Sequence, residues 1–139
     1  MSTNSTITVR TADNERKMIY CHWDGYPSNN GAILLEHYND HEKAKKLVEG
    51  GDLSALRPRI SPNKDELHNF QKPLEDVCIY YGRDRGETGV EPLKLSNAES
   101  ILKSQTREYN YYFDGKKWFL SVKNRAGKIE LTKQICELE

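Results

Sequence analysis

β-Branched and aromatic residues recur through Ile7–Thr11 and again through Lys17–Trp23, with the turn-forming run Asp13-Asn14-Glu15 between them, so the pattern predicts a β-hairpin. Residues 1–5 ahead of it are polar and predict a flexible tail. From Asn30 the period changes. Ile33, Leu34 and Tyr38, then Ala44, Leu47 and Val48, fall at helical spacings interrupted by Asn39-Asp40, which predicts two short helices. Glu42 lies three residues after Asn39, the spacing of a capping box, and Gly50-Gly51 predicts the second helix's end. Asp52-Leu-Ser-Ala-Leu then predicts one more helical turn, and the proline- and charge-punctuated stretch from Arg57 to His68 a long loop.

Asp76 to Tyr81 is a strand candidate whose apolar character is continuous instead of alternating, which predicts a central strand covered on both faces and ending at Gly82. A polar loop from Arg83 to Gly89 follows, then a short edge strand at Pro92–Leu95. Ser96-Asn-Ala-Glu99 has the form of a second capping box opening a helix with Ile101 and Leu102 inward. Asp114-Gly115 between Tyr109–Phe113 and Lys117–Val122 is the strongest local signal in the chain, a tight hairpin. Ile129, Leu131, Ile135 and Leu138 predict a strand giving way to a closing helix. Hairpins with inserted helices, not regular alternation, predict an α+β fold: an antiparallel sheet built from hairpins with helices packed mainly on one face, in a single domain spanning 1–139.

Composition narrows the function classes. The 21 basic and 21 acidic residues cancel, whereas a protein that coats a duplex by neutralising phosphates carries a basic excess. Three cysteines, Cys21, Cys78 and Cys136, are widely spaced and odd in number, which predicts reduced thiols, with Cys21 and Cys78 buried inside apolar strand-like runs. The N-terminal residues lack a charged and apolar leader and no run reaches the length of a membrane span, so the expected compartment is the cytoplasm of the cell that makes it, with no membrane partner.

Two clusters carry the candidate chemistry. Tyr20-Cys-His-Trp-Asp-Gly-Tyr-Pro27 stands where a strand gives way to a loop and a helix. There Trp23 and Tyr26 offer ring faces and His22 and Asp24 offer polar recognition, although Trp23 as a core anchor and Asp24-Gly25 as a plain turn explain the same residues. Tyr81-Gly-Arg-Asp-Arg-Gly-Glu87 presents Arg83 and Arg85 as a fork for carboxylate or phosphate, with Asp84 and Glu87 positioning the arginines or cancelling them. Were the two strands neighbours, Tyr81 and these arginines would stand beside the aromatic rings, the composition of a pocket for a nucleotide-like ligand. Signals for catalysis are weak: His22 with Asp24 or Asp84 forms at best an acid–base pair without a nucleophile, and no residue is assigned a catalytic role. His37 and His41 have the spacing of helical zinc ligands, but Asn39-Asp40 breaks the helix between them. No metal and no cofactor is expected.

The motif string Tyr20-Cys-His-Trp-Asp-Gly-Tyr-Pro27, Leu34-Leu-Glu-His-Tyr-Asn39, Gly51-Asp-Leu-Ser-Ala-Leu56, Tyr81-Gly-Arg-Asp-Arg-Gly-Glu87 and Glu108-Tyr-Asn-Tyr-Tyr-Phe-Asp-Gly115 with Trp118 resembles a family of small bacteriophage and prophage proteins. The resemblance implies a phage-encoded accessory protein and carries no activity or ligand onto particular residues. The expected function is therefore non-enzymatic binding of a host defence component by a homo-oligomer, either sequestering a nucleotide-like ligand or masking a host protein. Two alternatives stand beside it. One is a small nucleotide-directed hydrolase or transferase using His22, Asp24 or Asp84; the other is an assembly protein using Tyr111, Phe113, Trp118 and Leu120, should the C-terminal hairpin lie at a sheet edge.

Overall fold

The computed structural model describes residues 3–13, 15–95, 107–125 and 127–138. Strands β1 (Ser5–Ala12) and β2 (Glu15–Cys21) form the expected hairpin, with Ile7 opposite Ile19 and Thr6 opposite Tyr20. Residues 3–5 are not a tail: Ser5 is fully buried at the start of β1 and the Thr3 carbonyl accepts the Gly25 N–H at 2.8 Å. A short π turn (Pro27–Gly31) leads into helices α1 (Ala32–His37) and α2 (His41–Glu49).

The cap of α2 is Asp40, not Asn39. Asp40 is extended, and its carboxylate accepts the Glu42 N–H at 2.9 Å and the Lys43 N–H at 3.4 Å. Glu42 is thus the second helical residue, one short of the position from which a capping-box side chain reaches back. Buried Ala44, Leu47 and Val48 form the inward stripe, and the chain leaves the helix at Gly51, whose φ of +89° favours glycine.

Asp52-Leu-Ser-Ala-Leu is not a helical turn. Leu53–Ala55 is strand β3, because its backbone oxygens serve the end of the first hairpin: Leu53 O accepts the His22 N–H and Ser54 O the Trp23 N–H, each at 3.0 Å. The strand expected at Asp76–Tyr81 shrinks to β4 (Ile79–Tyr80), which is the outermost strand beside β3, not a central one. Its burial comes from the segment between Arg57 and Cys78, which folds back along it: Arg59 bridges Val77, and His68 Nε2–H reaches the Cys78 carbonyl at 3.2 Å. Covering an edge this way protects its unpaired backbone groups, and it produces the same continuous apolar run as a central strand. The polar loop expected from Arg83 starts as one helical turn, α3 (Tyr81–Arg85), closed by Gly86 at φ +77°.

Strand β5 (Leu93–Leu95) pairs with the first half of β2, on the same edge whose second half meets β3. The helix expected at Ser96 falls outside the described residues. Strands β6 (Tyr109–Phe113) and β7 (Trp118–Val122) form the second expected hairpin, followed by β8 (Ile129–Glu130) and helix α4 (Lys133–Leu138). The strand order is β4-β3-β2-β1-β6-β7-β8, with β1 parallel to β6, β2 parallel to β3, and every other pairing antiparallel. The fold is α+β around a mostly antiparallel mixed sheet.

Ile7, Val9, Ile19, Cys21, Tyr111, Phe113, Trp118 and Leu120 pack with Leu34, Tyr38, Leu47, Val48 and Cys136 from the helices into one core. Trp118 is its largest buried side chain, and its indole N–H donates to the Tyr38 carbonyl at 3.1 Å. The β6–β7 hairpin is interior to the sheet and Tyr111, Phe113, Trp118 and Leu120 are each 1 % exposed, so these four residues offer no assembly patch. On the opposite face Leu95 and Tyr112 pack with Met18 and Phe119. All three cysteines are free and buried, and burial pushes the Cys21 thiol up to about 12. No described helix is long and apolar enough to cross a membrane.

Candidate functional site

The segment from His22 to Tyr26 leaves β2 with its backbone tied at nearly every step. His22 and Trp23 donate to β3, the Trp23 carbonyl accepts the Cys21 thiol at 3.7 Å, and the Asp24 carbonyl accepts Asn29 Nδ2–H at 3.3 Å. Gly25 donates to Thr3 and accepts from the Tyr111 hydroxyl at 2.7 Å, and the Tyr26 carbonyl accepts the N–H groups of Asn29 and Asn30 at 3.0 Å each. Asp24 has φ +55°, a left-handed conformation that aspartate tolerates better than most residues but that still costs energy.

This anchored backbone displays Trp23, which is 44 % exposed and stands edge-to-face with the His22 ring at 4.7 Å. The core-anchor reading of Trp23 does not hold; Trp118 fills that role. Beside Trp23, the Tyr26 hydroxyl donates to Asp24 Oδ1 at 3.3 Å, and the Asp24 charge raises the Tyr26 pKa.

The second cluster is built inward. A guanidinium has five N–H donors, and all five of Arg83 are used within the chain. Nε donates to Asp84 Oδ1 at 2.8 Å, Nη1 to the Ile60 carbonyl and Ser61 Oγ at 2.6 and 3.1 Å, and Nη2 to the Cys78 carbonyl and Asp84 Oδ2 at 2.8 and 3.0 Å. Its Cζ lies over the Tyr80 ring, 4.9 Å from the centroid. Arg85 covers the Phe70 ring at 4.8 Å and pairs with Glu87 at 3.4 Å. The Asp84 side chain is 4 % exposed, accepts the Tyr80 N–H at 2.8 Å and meets the buried His68 Nε2 at 3.4 Å. Burial opposes the Asp84 charge, but Arg83 and the Tyr80 N–H outweigh it and hold the carboxyl below its ordinary range. As drawn from sequence, the arginine fork has no donor left at Arg83 for a ligand.

Nor do the two clusters share an end of the sheet. Strand β2 is parallel to β3 and β3 antiparallel to β4, so the chain leaves β2 and β4 in opposite directions. Tyr81 makes the nearest approach: burial raises the pKa of its half-buried phenol, and the Tyr20 phenol adds to the shift. His22 and Asp24 bond to Tyr20 and Tyr26 and not to each other, and Asp84 belongs to the Arg83–His68 network, so no acid–base pair forms among them. His41 Nε2 is spent on the Arg10 carbonyl at 2.7 Å, and no group of three metal-ligating side chains occurs among the described residues. A groove of about 670 Å³ lies between α1 and α4, lined by Ser28, Leu35, Glu36 and Lys133 among others, and contains none of the candidate ligand-binding residues of the two clusters.

Residues distant in sequence complete the first cluster. Asn4 donates to the Tyr20 hydroxyl at 3.0 Å, the Arg107 guanidinium lies over the Tyr20 ring at 4.7 Å, and half-buried Asp52 accepts the Tyr20 N–H at 2.9 Å. Alternation along β2 places Tyr20 beside His22, so that partner was open to sequence reasoning. Asn4, Asp52 and Arg107 arrive only through strand pairing. Burial raises the Asp52 pKa against the pull of the Tyr20 N–H and Arg107. The folded protein therefore takes up this proton at higher pH than the unfolded chain, and the stability Asp52 contributes at low pH is lost as pH rises through its folded pKa. Asp52→Asn keeps the acceptor oxygen without the charge. Its melting temperature should match or exceed wild type at pH 7 and converge with it toward pH 3; a variant that melts lower at pH 7 alone would contradict this account.

The fold and site thus define an α+β protein that presents an anchored aromatic loop at the end of its sheet. Comparison with protein-family models, curated proteins and solved structures finds no match for the chain.

Proposed function

We propose that the protein is a non-enzymatic binding protein, a phage-encoded accessory factor that masks a host protein's surface by docking the Trp23 loop onto it. The observation that carries this reading is the exposed Trp23 on a backbone already fixed by hydrogen bonds and held partly in a left-handed conformation. A lone exposed apolar residue is ordinary. Here, however, the indole is presented by a segment with little conformational freedom left to lose, which lowers the entropic cost of association. Tryptophan is also the residue type most enriched among interface hot spots. Protein masking is favoured over nucleotide sequestration because Arg83 is consumed internally and Arg85 is stacked and paired, which leaves the phosphate end of the imagined pocket without its fork.

The test is capture from a bacterial host lysate on immobilised wild-type and Trp23→Ala chains, with mass spectrometric identification and native mass spectra of the purified wild type. A host protein should be retained by wild type and lost by roughly a factor of 100 or more in the variant, the range of a hot-spot truncation of about 3 kcal/mol. Equal retention by a folded Trp23→Ala chain would remove the loop from the interface. Release of a nucleotide-sized mass on denaturation would replace masking by sequestration.

A further inference from the structure

Beside Trp23 lies a hydrogen-bond donor that the described residues fix and leave unused. Tyr20 and His22 are two apart along one extended run and face the same way, with the Tyr20 hydroxyl oxygen 2.6 Å from His22 Nδ1. Asn4 Nδ2–H donates to the same oxygen at 3.0 Å. A phenol has a single proton to give. With Asn4 occupying a lone pair, the arrangement that leaves no O–H idle directs that proton to His22 Nδ1. The separation agrees: it is typical of an O–H donor and short for an N–H donor, whose bonds centre near about 2.9 Å. Nδ1 is then an acceptor, and the neutral ring carries its proton on Nε2.

No hydrogen bond from Nε2 to another described residue accompanies this, and no buried side-chain nitrogen or oxygen among the described residues lacks a partner. Among the described residues Nε2–H is thus left for an outside acceptor. The His22 ring stands at 83° to the Trp23 indole, so the fixed donor and the exposed ring form one patch.

We propose that His22 sets partner specificity at this surface: its fixed Nε2–H is the bond taken by an oxygen acceptor, a carbonyl or carboxylate of the partner protein, when that partner covers Trp23. The proposal rests on the reading of the Trp23 loop as the docking surface. The selectivity follows from an asymmetry. A made hydrogen bond adds modestly to affinity, whereas a partner that buries the donor without offering an acceptor bears the full desolvation cost. Trp23 supplies apolar contact that many surfaces accept; His22 rejects those lacking the oxygen.

Long-range proton–nitrogen NMR on the free, labelled chain reads the tautomer directly. His22 is expected to show a protonated Nε2 and an acceptor Nδ1, and Tyr20→Phe to shift both nitrogens toward a tautomer mixture. A ring protonated on Nδ1 overturns the proposal whatever the partner does. Against the host protein identified by capture, His22→Phe should weaken binding at least tenfold and Tyr20→Phe by less, while His22→Gln, which restores an N–H, recovers much of the loss. Backbone spectra confirm that each variant folds. If Trp23→Ala abolishes binding while His22→Phe binds as wild type, the specificity role falls and the docking surface stands. If Trp23→Ala binds as wild type, the docking surface itself falls, and the specificity role with it.

Discussion

Gly25→Ala is expected to destabilise the protein by about 2–3 kcal/mol, the scale of forcing an extra carbon into a packed site. A Cβ at this position would sit 2.8 Å from Ser5 Cβ and 2.9 Å from the Asn4 carbonyl carbon and oxygen. Two of these contacts are backbone, so no side-chain rotation relieves them. Moving the loop away would break the Gly25 N–H bond to Thr3 and the Tyr111 hydroxyl bond to the Gly25 carbonyl. For a chain of this size the loss corresponds to a fall in Tm of roughly 5–12 °C. Urea unfolding followed by far-UV circular dichroism measures it, and a midpoint within error of wild type would show that the loop is not wedged against β1. Trp23 fluorescence adds a local readout, since a displaced loop alters the indole's surroundings while buried Trp118 reports the core.

The second large effect is expected at Asp84. Asp84→Ala leaves the Tyr80 N–H and two Arg83 donors without their acceptor and takes the carboxylate away from the buried His68 ring, and breaking an ion pair around a buried carboxylate from one side typically costs about 3–5 kcal/mol. The pH dependence separates this from mere loss of packing. The Asp84 carboxyl titrates below its ordinary range in the folded protein. Its contribution is therefore complete above the unfolded value near about 4 and disappears as pH falls through the lower folded pKa. Wild type and Asp84→Ala should differ most near neutrality and converge in acid; a gap independent of pH would mean that the carboxylate's charge is not what holds the segment from Arg57 to Cys78 against α3.

Sequence patterns revealed the parts of the molecule whose causes are local. The Asp114-Gly115 hairpin, the β1–β2 hairpin, the amphipathic stripe of α2 and its glycine stop all follow from residues within a few positions of one another. The errors arose where distant partners decide. Leu53–Ala55 becomes a strand because the end of β2 needs acceptors, and Ile79–Tyr80 looks central because a preceding loop wraps its outer edge. Asp40 displaced Asn39 as cap through a one-residue difference in where the chain turns extended.

The same division runs through the site. Trp23, His22, Asp24 and Tyr26 were legible as a polar-aromatic cluster, since they are contiguous. What they do differently from Arg83 and Asp84 was not. A charged run facing solvent and one folded onto buried carbonyls have the same composition, and only the acceptors at Ile60, Ser61 and Cys78 tell them apart.

The parallel pairing of β1 with β6 sets a schedule for folding. Ser5 meets Tyr109, so the middle of the sheet joins the first strand to one made more than a hundred residues later. Contacts of such long sequence separation are slow to form, because the loop they close must be ordered first. During synthesis the free edge of β1 stays open until the second hairpin has left the ribosome, and an open strand edge is a template for pairing with other chains. A truncation that removes the second hairpin would strip away one side of the central strand, leaving a fragment more prone to associate with its own copies than to fold.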